Sequence, residues 1–283
     1  MSNIEEILAL TLSNTVQDGV NFTNYDLQGI SLNGVSFIFS IFSETRFDKS
    51  ELVEINFSQA NLKNTSFKNA KIKNVNFTSS NLENANFEEA TLINCDFKNT
   101  RLESSNFASA QIKGCRFRGS NISHSNLSSA KIQNSDLCFA RLMYTYAKSV
   151  DISSSRLNGI NARGSDFGFS KITNSDLRGA ILKFSDFNSC TFKGVKLSHA
   201  EMIGCELKDS YCKGIEMEEI NLEGADLTYA NLEGANLKSA FLLESNLHGT
   251  NFSKANLKDA YLVDANISKA LLKEAILENT ILE

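Results

Sequence analysis

The chain has 283 residues, a net charge of −5, 22% charged residues, fifteen glycines and neither proline nor tryptophan. No apolar run approaches the ~18–20 residues of a membrane-spanning helix, so no membrane partner is expected. Length alone suggests one or two domains, and an unbroken pattern from residue 20 onward argues for one, with no linker or low-complexity segment.

Residues 1–19 read as an N-terminal cap. Asn3 and Glu6 have capping-box spacing, and Ile4, Ile7 and Leu8 form a helical stripe. A short helix over about 3–11 would cover the exposed edge of whatever follows; an irregular first coil using Ile7 and Leu12 is the alternative. The stretch Met1 to Leu12 has an acidic start and a short apolar run, unlike a secretory signal. The expected location is therefore cytoplasmic.

Residues 20–283 follow a period of five. Phe22, Leu27, Leu32, Phe37 and so on to Leu282 are large and apolar, and only Ala147, Ala162 and Cys212 interrupt the run. A mostly small residue stands two positions before each, as Ala60 before Leu62 and Ala225 before Leu227, often with Asn or Asp between. Neither regular element keeps a period of five on one face. Five residues advance a helix by about 500°, and an odd step along a strand flips the side chain to the other face. The backbone must therefore turn a corner within every repeat and wind, with the large and small positions inside.

The outward positions carry the turns. Fourteen of the fifteen glycines fall two residues after the large one, where Asn64, Asn74, Asn84 and Asn94 also stand. Both residue types tolerate the positive φ of a tight turn. The lack of proline suits a chain whose N–H groups bond to the next coil. Phe37, Phe57, Phe77, Phe97 and Phe117 fall in one column if each coil has four sides, opposite Phe47, Phe67, Phe87 and Phe107. Three sides would mix Phe with Leu and Ile in every column, so like-on-like stacking favours four.

This small–Asn/Asp–large–x–x pattern resembles the pentapeptide-repeat proteins across nearly the whole chain. The resemblance implies an all-β, right-handed, four-sided parallel β-helix. About 13 coils at ~4.8 Å spacing would span ~62 Å.

Within that frame the segments differ. Residues 20–45 enlarge the small position with Tyr25, Ile30 and Val35, whereas 46–135 are the most regular. Over 138–170, Ala147 and Ala162 would leave volume unfilled, offset by Val150 and Ile160. Residues 220–270 return to regular repeats, and then Phe241, Leu243, Tyr261, Val263, Leu271, Ile276 and Ile281 place apolar side chains at outward positions. Apolar stripes of this kind mark interfaces. A homodimer through the C-terminal end is expected, as the resemblance also implies, with a C-terminal segment folding over the stripe as the alternative.

The chemistry-bearing residues form no catalytic constellation. His124, His199 and His248 are isolated, without Cys or His at metal-ligand spacing, and the glycines follow the repeat rather than a phosphate loop. Asp96, Asp136, Asp166, Asp176, Asp186 and Asp226 precede large residues, which suits hydrogen bonding to turn backbone. Cys95, Cys115, Cys190, Cys205 and Cys212 take inward positions as core fillers. Cys95 and Cys115 would stack in adjacent coils, close enough for a bridge that a reducing compartment disfavours. No enzyme, metal or cofactor is expected.

Charge is banded. Residues 1–50 carry net −4, residues 101–200 net +8 and residues 201–250 net −7. At twenty residues per coil, Arg116, Arg118, Arg156, Arg178 and Lys196 share one basic face, while Asp26, Asp48, Glu88, Glu89, Asp166, Asp186, Glu206 and Asp226 share the opposite one. A third face gathers Arg141, Met143, Tyr144, Arg163, Lys183 and Phe184, aromatics among cations that suit a partner-binding patch; solvated charge over loosely packed coils is the plainer reading. The primary reading is a non-enzymatic rod binding a protein partner through a flat face. The resemblance supplies an alternative, since some members mimic DNA, bind DNA gyrase or topoisomerase IV and protect them from quinolones. Duplex DNA of ~62 Å would carry about 36 charges, far more than this chain, and the unbroken register leaves no room for the loop insertions of several resistance proteins. Direct nucleic-acid binding through the basic face ranks below both because acidic bands flank it.

Overall fold

The computed structural model describes residues 16–282. They divide into two compact units, one ending at Arg141 and the other beginning at Leu142. Both are all-β parallel solenoids with a twenty-residue coil. The helix expected over 3–11 lies outside the described residues. Within the expected cap, Gln17 and Gly19 already donate backbone N–H bonds to Ser36 and Ile38 at 3.0 and 2.8 Å, so inter-coil pairing begins ahead of residue 20.

Each coil has four sides, which we number from residues 20–24 (side 1), 25–29 (side 2), 30–34 (side 3) and 35–39 (side 4), repeating every twenty residues. Side 3 carries the regular strands. In the first unit these are β1 (Ser31–Asn33), β2 (Glu51–Val53), β3 (Lys71–Lys73), β4 (Thr91–Ile93), β5 (Gln111–Lys113) and β6 (Lys131–Gln133). In the second unit they are β7 (Asp151–Ser153), β8 (Lys171–Thr173) and β9 (Thr191–Lys193). Pairing is parallel and in register, as Leu52 with Ile72 and Ile172 with Phe192 show. The other sides use single bridges at the same spacing, for example Asn61 to Asn81, Asn86 to Asn106 and Asp176 to Lys196. Four pairing positions per coil settle the number of sides.

One repeat shows how five residues make a side. Phe57 donates its N–H to Asn76 on the next coil at 2.7 Å, and Gln59 donates to Thr78 at 3.0 Å. Ala60 closes the corner by donating back to Phe57 at 3.1 Å, and Asn61 returns to the preceding coil through Ser40 at 2.9 Å. Gln59 stands at the corner with a φ of 59°. Side chains other than glycine rarely adopt this region, yet Glu, Lys, Ser and aromatic residues occupy it repeatedly here. Backbone bonds to both neighbouring coils hold each corner, which outweighs a local preference of about 1–2 kcal/mol.

The core confirms the columns. Phe37, Phe57, Phe77, Phe97 and Phe117 stack with ring centroids 4.6–5.5 Å apart, and Phe47, Phe67, Phe87 and Phe107 with centroids 4.8–5.3 Å apart. Where Phe gives way to Ile and Leu, around Ile112, Leu127 and Leu137, a small void of about 10 Å³ opens. Ala147 and Ala162 are fully buried, as are Val150 and Ile160 beside them. Toward the C-terminus, Ile267, Leu272, Leu277 and Leu282 keep the inward register yet are 37–52% exposed.

Candidate functional site

A parallel solenoid turns every outward position into a column, so a site here is a set of side chains repeating at twenty residues. The Asx positions behave as structure. Carboxylate oxygens of Asp96, Asp136, Asp166, Asp186 and Asp226 accept the N–H two residues on, at 2.7–3.0 Å. This stabilises the corner that follows. His199 lies 3.2 Å from Glu219 and His248 Nδ1 lies 2.7 Å from Ser268, on different sides. Among the described residues no three His, Cys, Asp or Glu side chains converge as a metal site. All six cysteines are buried thiols, including Cys138 at an outward position. Cys95 donates its backbone N–H to Cys115 Sγ at 3.4 Å, without a bridge. Burial pushes Cys190, Cys205 and Cys212 up to about 12. Thiols held protonated in this way are poor nucleophiles.

The aromatic patch falls on side 1. Arg141 belongs to the first unit; Met143, Tyr144, Arg163, Lys183 and Phe184 belong to the second. Tyr144 and Phe184 are 49% and 56% exposed. Both occupy corners at positive φ, 56° and 59°, and each ring leans across the next coil. A Cβ added to Gly164 would meet the Tyr144 ring at 2.8 Å, and one added to Gly204 would meet the Phe184 ring at 2.7 Å. Arg163 lays its guanidinium over Phe184, 5.3 Å from the ring centroid, while Lys183 pairs with Glu201 at 2.6 Å. The structure therefore brings Arg163, Lys183 and Phe184 together on adjacent coils of a flat side, with glycines as the seats for the rings.

The same device occurs where sequence reasoning did not look. Arg118 sits over Phe139 at 5.0 Å, Lys148 over Phe169 at 5.2 Å, and the Tyr229 ring lies across Gly249. The signal was available: an aromatic residue at the corner position, a cation twenty-one residues earlier or a glycine twenty residues later.

The arginines expected to form a basic face do fall on side 4, but acids stand between them. In the first unit Arg116 bonds Asp96 at 3.1 Å and is bridged in register to Asp136. In the second, the column runs Arg156, Asp176, Lys196, Glu216. Arg178 grips Asp176 through three bonds of 2.7–3.2 Å, and this pairing holds the Asp176 carboxyl down at about 2. Side 4 is thus a ladder of alternating sign. Side 2 of the second unit is the opposite case, since Asp166, Asp186, Glu206 and Asp226 follow one another on successive coils. Lys208 reaches Asp226 at 3.4 Å, and together with the Thr228 hydroxyl it offsets burial, leaving the carboxyl lowered.

The C-terminal residues separate by side. Phe241, Leu243, Tyr261, Val263 and Ile281 share side 1, with the Phe241 and Tyr261 rings stacked at 5.2 Å. Leu271 lies on side 3 and Ile276 on side 4, both about half exposed. A cavity of about 100 Å³ is lined by Phe252, Leu257, Leu262, Leu272 and Leu277 among others.

A family model described as pentapeptide repeat region matches residues 18–94 and 90–167, and one described as pentapeptide repeats (8 copies) matches 170–210, 205–242 and 242–279. No curated protein matches the chain. Among solved structures, HetL is a pentapeptide repeat protein involved in heterocyst differentiation regulation from the cyanobacterium Nostoc sp. strain PCC 7120. It is 23% identical over 100% of this chain and 97% of its own, with a TM-score of 0.34. Full-length QnrB1, a plasmid-mediated fluoroquinolone resistance protein, is 20% identical over 75% of this chain and 91% of its own, with a TM-score of 0.28. With the two family models together spanning most of residues 18–279, the chain belongs to the pentapeptide-repeat family.

Proposed function

We propose that this protein is a non-enzymatic interaction protein that binds a protein partner through a flat side of its coils. The observation that carries the reading is the shelf on side 1 of the second unit, where the exposed Phe184 ring lies between Arg163 and Gly204. Exposed aromatics pinned by neighbouring groups lose little entropy on binding, and Tyr and Arg are enriched at binding hot spots. Affinity capture from the native cell tests it, with wild-type protein and Tyr144→Ser/Phe184→Ser as baits. The expected result is a partner retained by the first and weakened at least tenfold, or about 1.4 kcal/mol, by the second. Identical capture by both baits would reject the shelf as the binding surface. The register over residues 17–282 corresponds to about 13 coils, which we take as right-handed in keeping with the family.

The same reading includes a homodimer through the C-terminal apolar residues. Leu271 and Ile276 are exposed beside the half-exposed Leu272 and Leu277, an arrangement that a second copy of the chain would bury. Light scattering should show a dimer that Leu271→Glu/Ile276→Glu converts to monomer; a monomeric wild type rejects it.

A second reading, binding to a type II topoisomerase by DNA mimicry, is favoured by the carboxylate column Asp166, Asp186, Glu206 and Asp226. Its charges are ~4.8 Å apart along the stack, against 3.4 Å along one DNA strand. Gyrase supercoiling with ciprofloxacin present decides it. Rescue at sub-stoichiometric protein, lost in Asp186→Lys/Glu206→Lys, supports mimicry, and unchanged inhibition removes it.

A further inference from the structure

Side 3 is the side on which all the regular strands lie. Across β3 to β6 of the first unit its outward residues are four exposed lysines (Lys71, Lys73, Lys113 and Lys131), amides, Thr91, Ile93 and Gly114, with no acid. Several other lysines are answered by an acid one coil away, as Lys63 by Glu83 at 3.2 Å, Lys68 by Glu88 at 3.0 Å and Lys213 by Glu233 at 3.0 Å. Among the described residues these four have no ion pair within 4.0 Å. Acids bound the field without entering it. Glu51 stands in register with Lys71 on β2, Glu89 occupies the corner before Thr91, and Asp96 on side 4 is taken up by Arg116. In the second unit, β8 and β9 repeat the composition with Lys171 and Lys193 among Thr173, Asn174 and Thr191.

We propose that the β3–β6 surface binds the sugar–phosphate backbone of duplex nucleic acid without sequence preference. Four like charges crowded over about 14 Å, three inter-strand steps, attract a dense and uniform anion more than the scattered carboxylates of a protein. Lysine on a flexible stem neutralises phosphate as a point charge, and Thr, Asn and Gln side chains are common phosphate donors. The surface carries no aromatic ring on which unpaired bases would stack. Ile93, half-buried, leaves nothing to insert into lipid. This surface lies on a different side and unit from the aromatic shelf and the carboxylate column.

The test is anisotropy with a labelled duplex of about 30 base pairs, titrated between about 20 and 200 mM salt. Four phosphate contacts predict a slope of log affinity against log salt near about −3.6. Lys73→Glu/Lys113→Glu should weaken binding at least tenfold at about 50 mM salt and flatten the slope by about 2. Lys49→Glu/Lys98→Glu changes net charge equally on sides 2 and 4 and should stay within about twofold of wild type. Both variants keep their side chains outward, and circular dichroism confirms folding. Absence of duplex binding at the lowest salt, equal losses in the two variants, or stronger binding to single strands or to anionic vesicles than to duplex would each overturn the proposal.

Discussion

Asp176 shows what one residue contributes to a charged column. Its carboxyl is held at about 2 chiefly by the Arg178 guanidinium, below the ordinary value of 3.8. A lowered folded-state value stabilises the fold above the unfolded value and loses that contribution as pH falls through the folded one. The window therefore runs from about pH 4 down to about 2. As a solvent-screened pair it is worth no more than about 1 kcal/mol. In denaturant titrations, Asp176→Asn should be less stable than wild type at pH 6, and the gap should close by pH 2. The glycine seats offer a second residue-scale prediction. Gly224 has a φ of 62° and nothing within 4 Å of an added Cβ, so Gly224→Ala should cost about 1 kcal/mol from backbone strain alone. Gly204 has nearly the same φ but lies under the Phe184 ring, so Gly204→Ala should cost about 1 kcal/mol more through the displaced ring. Melting curves of the two variants, with and without Phe184→Ala, separate the terms.

At the scale of a column, stacking decides whether neighbours help or oppose each other. Phe77 lies between Phe57 and Phe97, with centroids at 5.5 and 4.7 Å. Phe77→Ala should cost about 3–5 kcal/mol, the range for a large aromatic removed from a packed core. Hydrogen exchange should show the loss in the adjacent coils before distant ones, because solenoid repeats touch only their neighbours. The carboxylate column is the unfavourable counterpart. Asp186 stands between Asp166 and Glu206, and like charges in register oppose pairing. Asp186→Asn keeps an acceptor for the Asn188 N–H while removing a charge, so it should stabilise by up to about 0.5 kcal/mol at low salt and by less at high salt. Equal stability at both salt concentrations would show that the column is already screened.

For the molecule as a whole, the register is the quantity that all coils share. Removing residues 61–80 takes out one complete coil and joins Ala60 to Asn81, leaving every later side chain on its own side. Removing Asn64 alone shifts every following residue by one position and turns inward side chains outward. The twenty-residue deletion should retain its β-sheet circular dichroism and melt within several degrees of wild type, since a single interior coil is replaceable. The one-residue deletion should melt much lower or fail to fold. The reverse ranking would show that this solenoid depends on particular coils rather than on register.

The period of five, visible from Phe22 to Leu282, determined without coordinates that the chain winds, which positions face inward and that Phe37 stacks on Phe57. A constraint repeated along the whole chain overrides local preferences, and so it is legible residue by residue. The sides of the coil were legible too, since arithmetic at twenty residues put Arg116, Arg156 and Lys196 on side 4. Arithmetic over a chosen residue type did not reveal that Asp96 and Asp136 flank Arg116 and that Asp176 stands between Arg156 and Lys196, nor that the lysines of β3 to β6 are left without an acid. Whether a charge is free depends on what reaches it across a coil boundary, through long side chains whose directions only the folded structure sets. The same holds for Phe184. Its exposed, corner position was readable, but its seat on Gly204 and its arginine cover exist only once successive coils lie ~4.8 Å apart.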